Sequence, residues 1–253
     1  MNILRQILSD EQVSFYERDG YLVVPSLLNE EEVQTFLDHI DERPEHTAHG
    51  LHGHLQDRRY RYLVTHPHIV DITAQLLQGR PRVVQSMVLD KPAVNGKGIP
   101  LHQDLHYLPN DPGTPDTLMA CWLALTDTDE QNGGLCIVPG SHKRGLRSTH
   151  QARDTKEHNT FETEHLMRDR HGREWTETMF SFEIDGLDPE SIVHLAVPRG
   201  GGVFFNGRTI HGSFGNHSSN RPRRAFAVHY VHEDTHLLRA DVQNTMPVEI
   251  EST

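Results

Sequence analysis

Apolar positions along this chain change their period once, near residue 80. Before that point they recur at helical spacing between helix-start and helix-stop signals. Ser9 with Gln12 makes a capping box that opens a helix ended by Gly20, and Asn29 with Glu32 opens a second that stops before Pro44. A third, short helix is expected over 69–77, closed by Gly79 and Pro81. From Arg82 onward the texture is short runs of Val, Ile, Leu and aromatics between clusters of Gly, Pro, Asn and Asp. These predict strands over 83–89, 118–125, 135–138, 192–196, 203–206 and 223–231. Spaced short strands without alternating helices indicate a mainly β fold with flanking helices, a barrel or jelly roll.

With 253 residues and no marked boundary, one domain is expected, helical over 1–80 and a β core over 82–235. The stretch 144–190 breaks the pattern. It is highly charged, aperiodic and longer than a connection inside a compact domain, which reads as a lid or a mobile insertion.

Charge narrows the partners. Lysine and arginine number 24 against 36 acidic residues, a net charge of −12 that repels nucleic acid and anionic membrane surfaces alike. No apolar run approaches the roughly 18 to 20 residues of a membrane span, and the N-terminus does not read as a signal peptide, so a cytoplasmic protein is expected. Cys121 and Cys136 each sit in an apolar run and read as small buried hydrophobes.

Histidine is the outlier, with 20 residues. His39, His46, His49, His52, His54, His66, His68, His150, His158, His165 and His171 lie in polar or loop-like surroundings and read as surface side chains, since a metal ligand needs partners at matched spacing.

One histidine has such a partner. In Leu101-His102-Gln103-Asp104 an extended backbone sends His102 and Asp104 to the same side, where they can share a small cation. Far along the chain, Thr209-Ile210-His211-Gly212-Ser213 offers a third ligand. Two histidines and a carboxylate form the facial set that leaves three positions open on iron(II). Ten residues on, a strand begins at Arg223-Arg224; a guanidinium there gives a carboxylate two parallel charge-assisted hydrogen bonds. Arg223 shares a strand face with Ala225, Ala227 and His229, a set suited to a cavity wall. Arg224 shares one with Phe226, Val228 and Tyr230, a set suited to packing on helices. Alternation favours Arg223, with Arg224 as the alternative.

Taken in order, Lys91-Pro92, the LHQDLHY stretch of 101–107, Asn132-Gly133-Gly134-Leu135, Pro139-Gly140-Ser141-His142 and the 211–223 block resemble the phytanoyl-CoA dioxygenase family, over roughly 15–236. The resemblance implies a double-stranded β-helix, a cupin-like jelly roll with outer N-terminal helices. It implies an iron(II)- and 2-oxoglutarate-dependent dioxygenase that consumes O2 and releases succinate and CO2. By the same resemblance His102, Asp104 and His211 match the iron ligands, and Met87, Trp122, Ser213 and Arg223 match positions that line or bind 2-oxoglutarate. One residue is added between Asn216 and Arg223 relative to the family pattern, and alignment on Ala225 restores Arg223. Related halogenases carry a small residue where Asp104 stands, so the carboxylate implies hydroxylation rather than halogenation.

The remaining positions carry less. His106 and Tyr107 either face substrate or pack a strand end; Gln103 points away from the metal side; His229 stands either beside the ligands or in the core. The two glycine turns shape the barrel, and Gly200-Gly201-Gly202 leads into a strand, without the helix or lysine of a phosphate loop. Substrate recognition is expected in the insertion, with Arg147, Arg153, Arg168, Arg170, Arg173 and Trp175. The acidic total favours a small neutral or cationic metabolite over an acyl-CoA. Desaturation, epimerisation or cyclisation on the same centre is the alternative outcome. A metal-binding jelly-roll protein without catalysis is the rival reading.

Overall fold

The computed structural model describes residues 6–42 and 50–249. Helix α1 (Asp10–Asp19) opens where the Ser9 hydroxyl accepts from Gln12 N–H and the Gln12 side chain returns to Ser9 N–H. It ends where Gly20 turns left-handed at φ 80°. Strand β1 (Tyr21–Val24) follows, then α2 (Glu30–Glu42), which Asn29 and Glu32 cap by the same exchange. The expected stop before Pro44, and His46 and His49, lie outside the described residues.

Two further helices, α3 (Gly53–Gln56) and α4 (Arg58–Val64), precede α5 (Pro67–Leu77), which starts two residues earlier than its apolar spacing suggested. The N-cap of α4 is Asp57, whose carboxylate accepts from Arg59 N–H, and Tyr60, Leu63 and Val64 form its buried stripe.

The strands are β2 (Pro81–Lys91), β3 (Ile99–His102), β4 (Met119–Ala124), β5 (Cys136–Ile137), β6 (Thr149–Gln151), β7 (Glu162–Arg168), β8 (Glu174–Phe180), β9 (Phe182–Ile184), β10 (Val193–His194), β11 (Gly202–Asn206), β12 (His211–Ser213), β13 (Arg223–His232) and β14 (Met246–Pro247). Six of them form one antiparallel sheet in the order β1-β11-β4-β13-β2-β14, and four form a second in the order β10-β5-β12-β3. The result is a double-stranded β-helix.

Alternation along the central strands assigns each face of the larger sheet. Cys121, Leu123, Phe204, Phe226, Val228 and Tyr230 pack outward against Phe36, Tyr60 and Leu63 of the helices. The rings of Phe36, Tyr60 and Phe226 meet edge to face at 5.3–5.5 Å, and the Tyr230 hydroxyl donates to Val64 O at 2.7 Å. Ala120, Trp122, Phe205, Ala225 and Ala227 take the opposite face, toward the smaller sheet. Both cysteines are buried and free.

The stretch 144–190 is not aperiodic in three dimensions. β6 pairs with β9, and β7 with β8 as a hairpin. Only Met167 and Met179 are buried in that hairpin, so it carries no apolar alternation for a sequence reading to detect. Three histidines also depart from expectation: His54, His66 and His158 are buried, at 0%, 6% and 7% exposure. Burial holds the His54 imidazole down to about 4, with its Nδ1 at 2.9 Å from the Ser86 hydroxyl. Among the described residues no helix is long and apolar enough to cross a membrane.

Candidate active site

His102 and His211 are register partners across β3 and β12, which brings two candidate ligands 109 positions apart in the chain side by side. Their rings lie 4.4 Å apart between centroids. The strands approach closely because residue 212 is glycine: a Cβ there would lie 2.8 Å from Ile99 O and 3.0 Å from Pro100 O. After His102 the backbone stays extended through Gln103 (φ −117°, ψ 131°), so Asp104 emerges on the side of His102 before a short 3-10 turn over Asp104–His106. Gln103 points the other way. Its amide donates to Gly145 O and Arg208 O and accepts from Arg147 N–H, tying the start of the insertion to the ligand strand.

The three side chains suit a cation. Nδ1 of His102 donates to Pro100 O at 2.7 Å, and Nδ1 of His211 to Thr209 O at 3.0 Å. In its neutral form each ring then carries its proton on Nδ1 and offers a bare Nε2. Both Nε2 atoms stand 3.5 Å from Asp104 Oδ1, and the three ligand atoms lie within 4.8 Å of one another. Burial lowers the His211 imidazole to about 4, which keeps it neutral near pH 7. Burial raises the Asp104 carboxyl, but the neighbouring imidazoles of His211, His229 and His102 outweigh it and leave Asp104 well below the usual carboxylate range. Neutral imidazoles and one carboxylate are the protonation states a divalent metal needs. Oδ2 of Asp104 is buried without a hydrogen bond.

These residues line a cavity of about 360 Å³ between the two sheets. Met87, Trp122, Ser213 and Arg223 line it as well. Arg223 is 2% exposed; it donates through Nε to Gly133 O and through Nη1 to Leu89 O, and stacks 5.9 Å from the Trp122 ring. Among the described residues no carboxylate pairs with it, and burial lowers it to about 10. Arg224 faces away, held by Asp41 at 2.7 Å and Asp90 at 3.3 Å.

Two neighbours that support Arg223 from behind this wall were not read as such from sequence. Lys91, quoted only as part of a motif, is 3% exposed and donates to Gly133 O and Phe214 O at 3.1 and 2.5 Å beside Arg223. The Asn132-Gly133-Gly134 turn, read as shaping the barrel, also supplies the carbonyl that holds both the Lys91 and the Arg223 side chain. Gly133 sits at φ +74°, where a Cβ would press 2.8 Å from Phe214 O.

Leu51, Tyr107, Leu108, Phe161, His165 and Arg239 line the cavity as well. Tyr107 packs against the His102 ring at 5.2 Å, and its hydroxyl accepts from Phe182 N–H. The insertion does reach the cavity, but through Asn159, Phe161, His165 and Ser181; the arginines expected there and Trp175 do not line it. Arg168 pairs with Glu174 and Trp175 donates to Glu177, so the hairpin satisfies its own polar groups. Arg239 could have been found by no local signal, whereas Gln85 stands two residues before Met87 on the same strand face.

Fold, cavity and ligand set define an iron(II)- and 2-oxoglutarate-dependent dioxygenase. The chain belongs to the phytanoyl-CoA dioxygenase family, whose model matches residues 16–225. It is 27% identical over 273 residues to peroxisomal phytanoyl-CoA dioxygenase of Homo sapiens, covering 97% of this chain and 74% of the relative. It is 28% identical over 255 residues to ectoine dioxygenase of Bordetella parapertussis, covering 90% and 77%. Among solved structures it resembles the non-heme alpha-ketoglutarate-dependent carbocyclase SnoK of nogalamycin biosynthesis, with TM-score 0.67 and 26% identity, covering 97% of this chain and 95% of that one.

Proposed function

We propose that the protein hydroxylates an unactivated C–H bond of a small metabolite, with His102, Asp104 and His211 holding iron(II) and with Arg223, Ser213, Met87 and Trp122 seating 2-oxoglutarate. One observation carries this reading: a buried guanidinium without an acidic partner opens into the same cavity as the two bare imidazole nitrogens and the carboxylate. A bound iron(II) supplies, with O2 and 2-oxoglutarate, the oxidising power that takes hydrogen from carbon, with succinate and CO2 as co-products.

The protein's own residues orient and shield. Arg223 offers a bidentate charged partner to the distal carboxylate of 2-oxoglutarate, with the Ser213 hydroxyl beside it. Trp122, Leu89 and Leu135 keep water from that end. Substrate enters against Tyr107, Leu108 and Phe161, an apolar and aromatic surface.

The cavity is too small to enclose an acyl-CoA beside 2-oxoglutarate, and the insertion over 144–190 carries seven Lys and Arg against eleven Asp and Glu, the wrong sign for phosphates. Similarity to an ectoine dioxygenase supports a compact metabolite, and similarity to a carbocyclase keeps ring closure as the second outcome of the same hydrogen abstraction. Two buried free cysteines suit a reducing, cytoplasmic setting.

The test is CO2 release from labelled 2-oxoglutarate with iron(II) and a substrate panel. Stimulation by cyclic or zwitterionic small metabolites supports the reading. Stimulation by coenzyme A thioesters alone overturns the substrate class.

A further inference from the structure

Oδ1 of Asp104 faces the two histidine Nε2 atoms at 3.5 Å, which leaves Oδ2 to be accounted for. A buried carboxylate oxygen without a partner is costly, the more so for a charged group. Oδ2 makes no hydrogen bond, yet Nε2 of His229 lies 3.2 Å from it, within reach though off the line of a full hydrogen bond. On the other side of that imidazole, Gln85 Nε2 stands 3.2 Å from His229 Nδ1. Gln85 and His229 are register partners on β2 and β13, and all three side chains are at most 7% exposed.

The donor pattern of the chain Gln85–His229–Asp104 has one consistent solution for a neutral imidazole. A carboxylate accepts only, so a hydrogen bond at Oδ2 requires the proton on His229 Nε2. Nδ1 then has a lone pair, which takes the Gln85 amide N–H. Gln85, with its amide N–H turned to Nδ1, supports the tautomer that points a donor toward the carboxylate.

We infer that His229 is a positioning residue for the metal centre: held by Gln85, it grips Oδ2 of Asp104 so that only Oδ1 is offered to the metal. A carboxylate free to swing would take a second coordination position and crowd those needed by 2-oxoglutarate and oxygen. This inference rests on Asp104 being a ligand, as proposed above.

The experiment titrates apoprotein with cobalt(II) without oxygen, following the visible ligand-field bands, for wild type and for His229→Leu, His229→Gln, Gln85→Leu and Asp104→Ala. Asp104→Ala tests the reading beneath: cobalt bands unchanged in that variant mean Asp104 is no ligand, and the inference falls with the proposed site. With that control passed, His229→Leu is expected to weaken cobalt(II) by about 10- to 100-fold and to change the band shape as Asp104 shifts to two-oxygen coordination. Gln85→Leu is expected to shift both in the same direction by less, and His229→Gln, which still carries an N–H donor, to recover most of the affinity.

Affinity and band shape within twofold of wild type in both leucine variants overturn the inference. Should those variants not fold, ring-15N histidine spectra of zinc-loaded wild type decide it. A His229 proton on Nε2 is expected, and one on Nδ1 overturns the assignment.

Discussion

Arg223 and Arg224 are adjacent in the chain and meet opposite environments. Arg223 is in the cavity wall without an acidic partner among the described residues, while Arg224 is neutralised by Asp41 and Asp90 on the helix side. Arg223→Met is expected to raise the 2-oxoglutarate concentration needed for half-saturation roughly 10- to 100-fold, the loss of about 1.5–3 kcal/mol of charged hydrogen bonding. Arg224→Met is expected to leave that concentration within about twofold, so steady-state kinetics on the pair decides which arginine binds.

Lys91 makes a prediction in pH. Burial, then the Arg223 charge, lowers its ammonium from 10.5 to about 6. Between those values the unfolded chain holds a proton that the folded chain lacks, so this residue makes folding stability rise with pH across that window. Urea midpoints of wild type should therefore climb relative to Lys91→Met from about pH 6 upward; parallel curves would place the ammonium outside the low-polarity wall.

At the scale of elements, β13 was the most legible part of the chain, because a central strand packed on both faces alternates sharply. Ala225 and Ala227 line the inner side, and Phe226, Val228 and Tyr230 the outer, as their sizes suggested. Phe226→Ala is expected to cost about 3–5 kcal/mol in chemical denaturation by opening the space among Phe36 and Tyr60. Ala227→Phe projects into the cavity instead. It should abolish substrate-stimulated CO2 release while cobalt(II) binding persists.

The short ligand strands β3 and β12 escaped the pattern, since four and three residues give no period and each owes its extension to its partner. β1 and α4 carried readable signals, the Tyr21–Val24 run and the Asp57 cap, in a region taken as helix and connection. The surface reading of His54, His66 and His158 failed because local polarity says little about what a helix or loop later covers.

At the scale of the whole molecule, two antiparallel sheets close over one cavity, with helices shielding the outer face of the larger. The class of fold followed from short strands after residue 80, and its identity as a double-stranded β-helix from the family resemblance. The insertion was not legible: its hairpin is held by cross-strand pairing and surface ion pairs, and its cavity contacts are Asn159, Phe161, His165 and Ser181 rather than its arginines. Phe161→Ala should raise the half-saturating concentration of substrate several-fold without altering that of 2-oxoglutarate, if substrate sits against Tyr107 and Phe161.

The central claim is that one cavity holds iron(II) on His102, Asp104 and His211 and 2-oxoglutarate against Arg223. Its most direct test is an anaerobic titration of the apoprotein with iron(II) and then 2-oxoglutarate, watching for the visible metal-to-ligand charge-transfer band of the chelate. Wild type is expected to develop a band that vanishes in Asp104→Ala and needs more 2-oxoglutarate in Arg223→Met. Folded, iron-loaded wild type that develops no band, or a band indifferent to both substitutions, would contradict it.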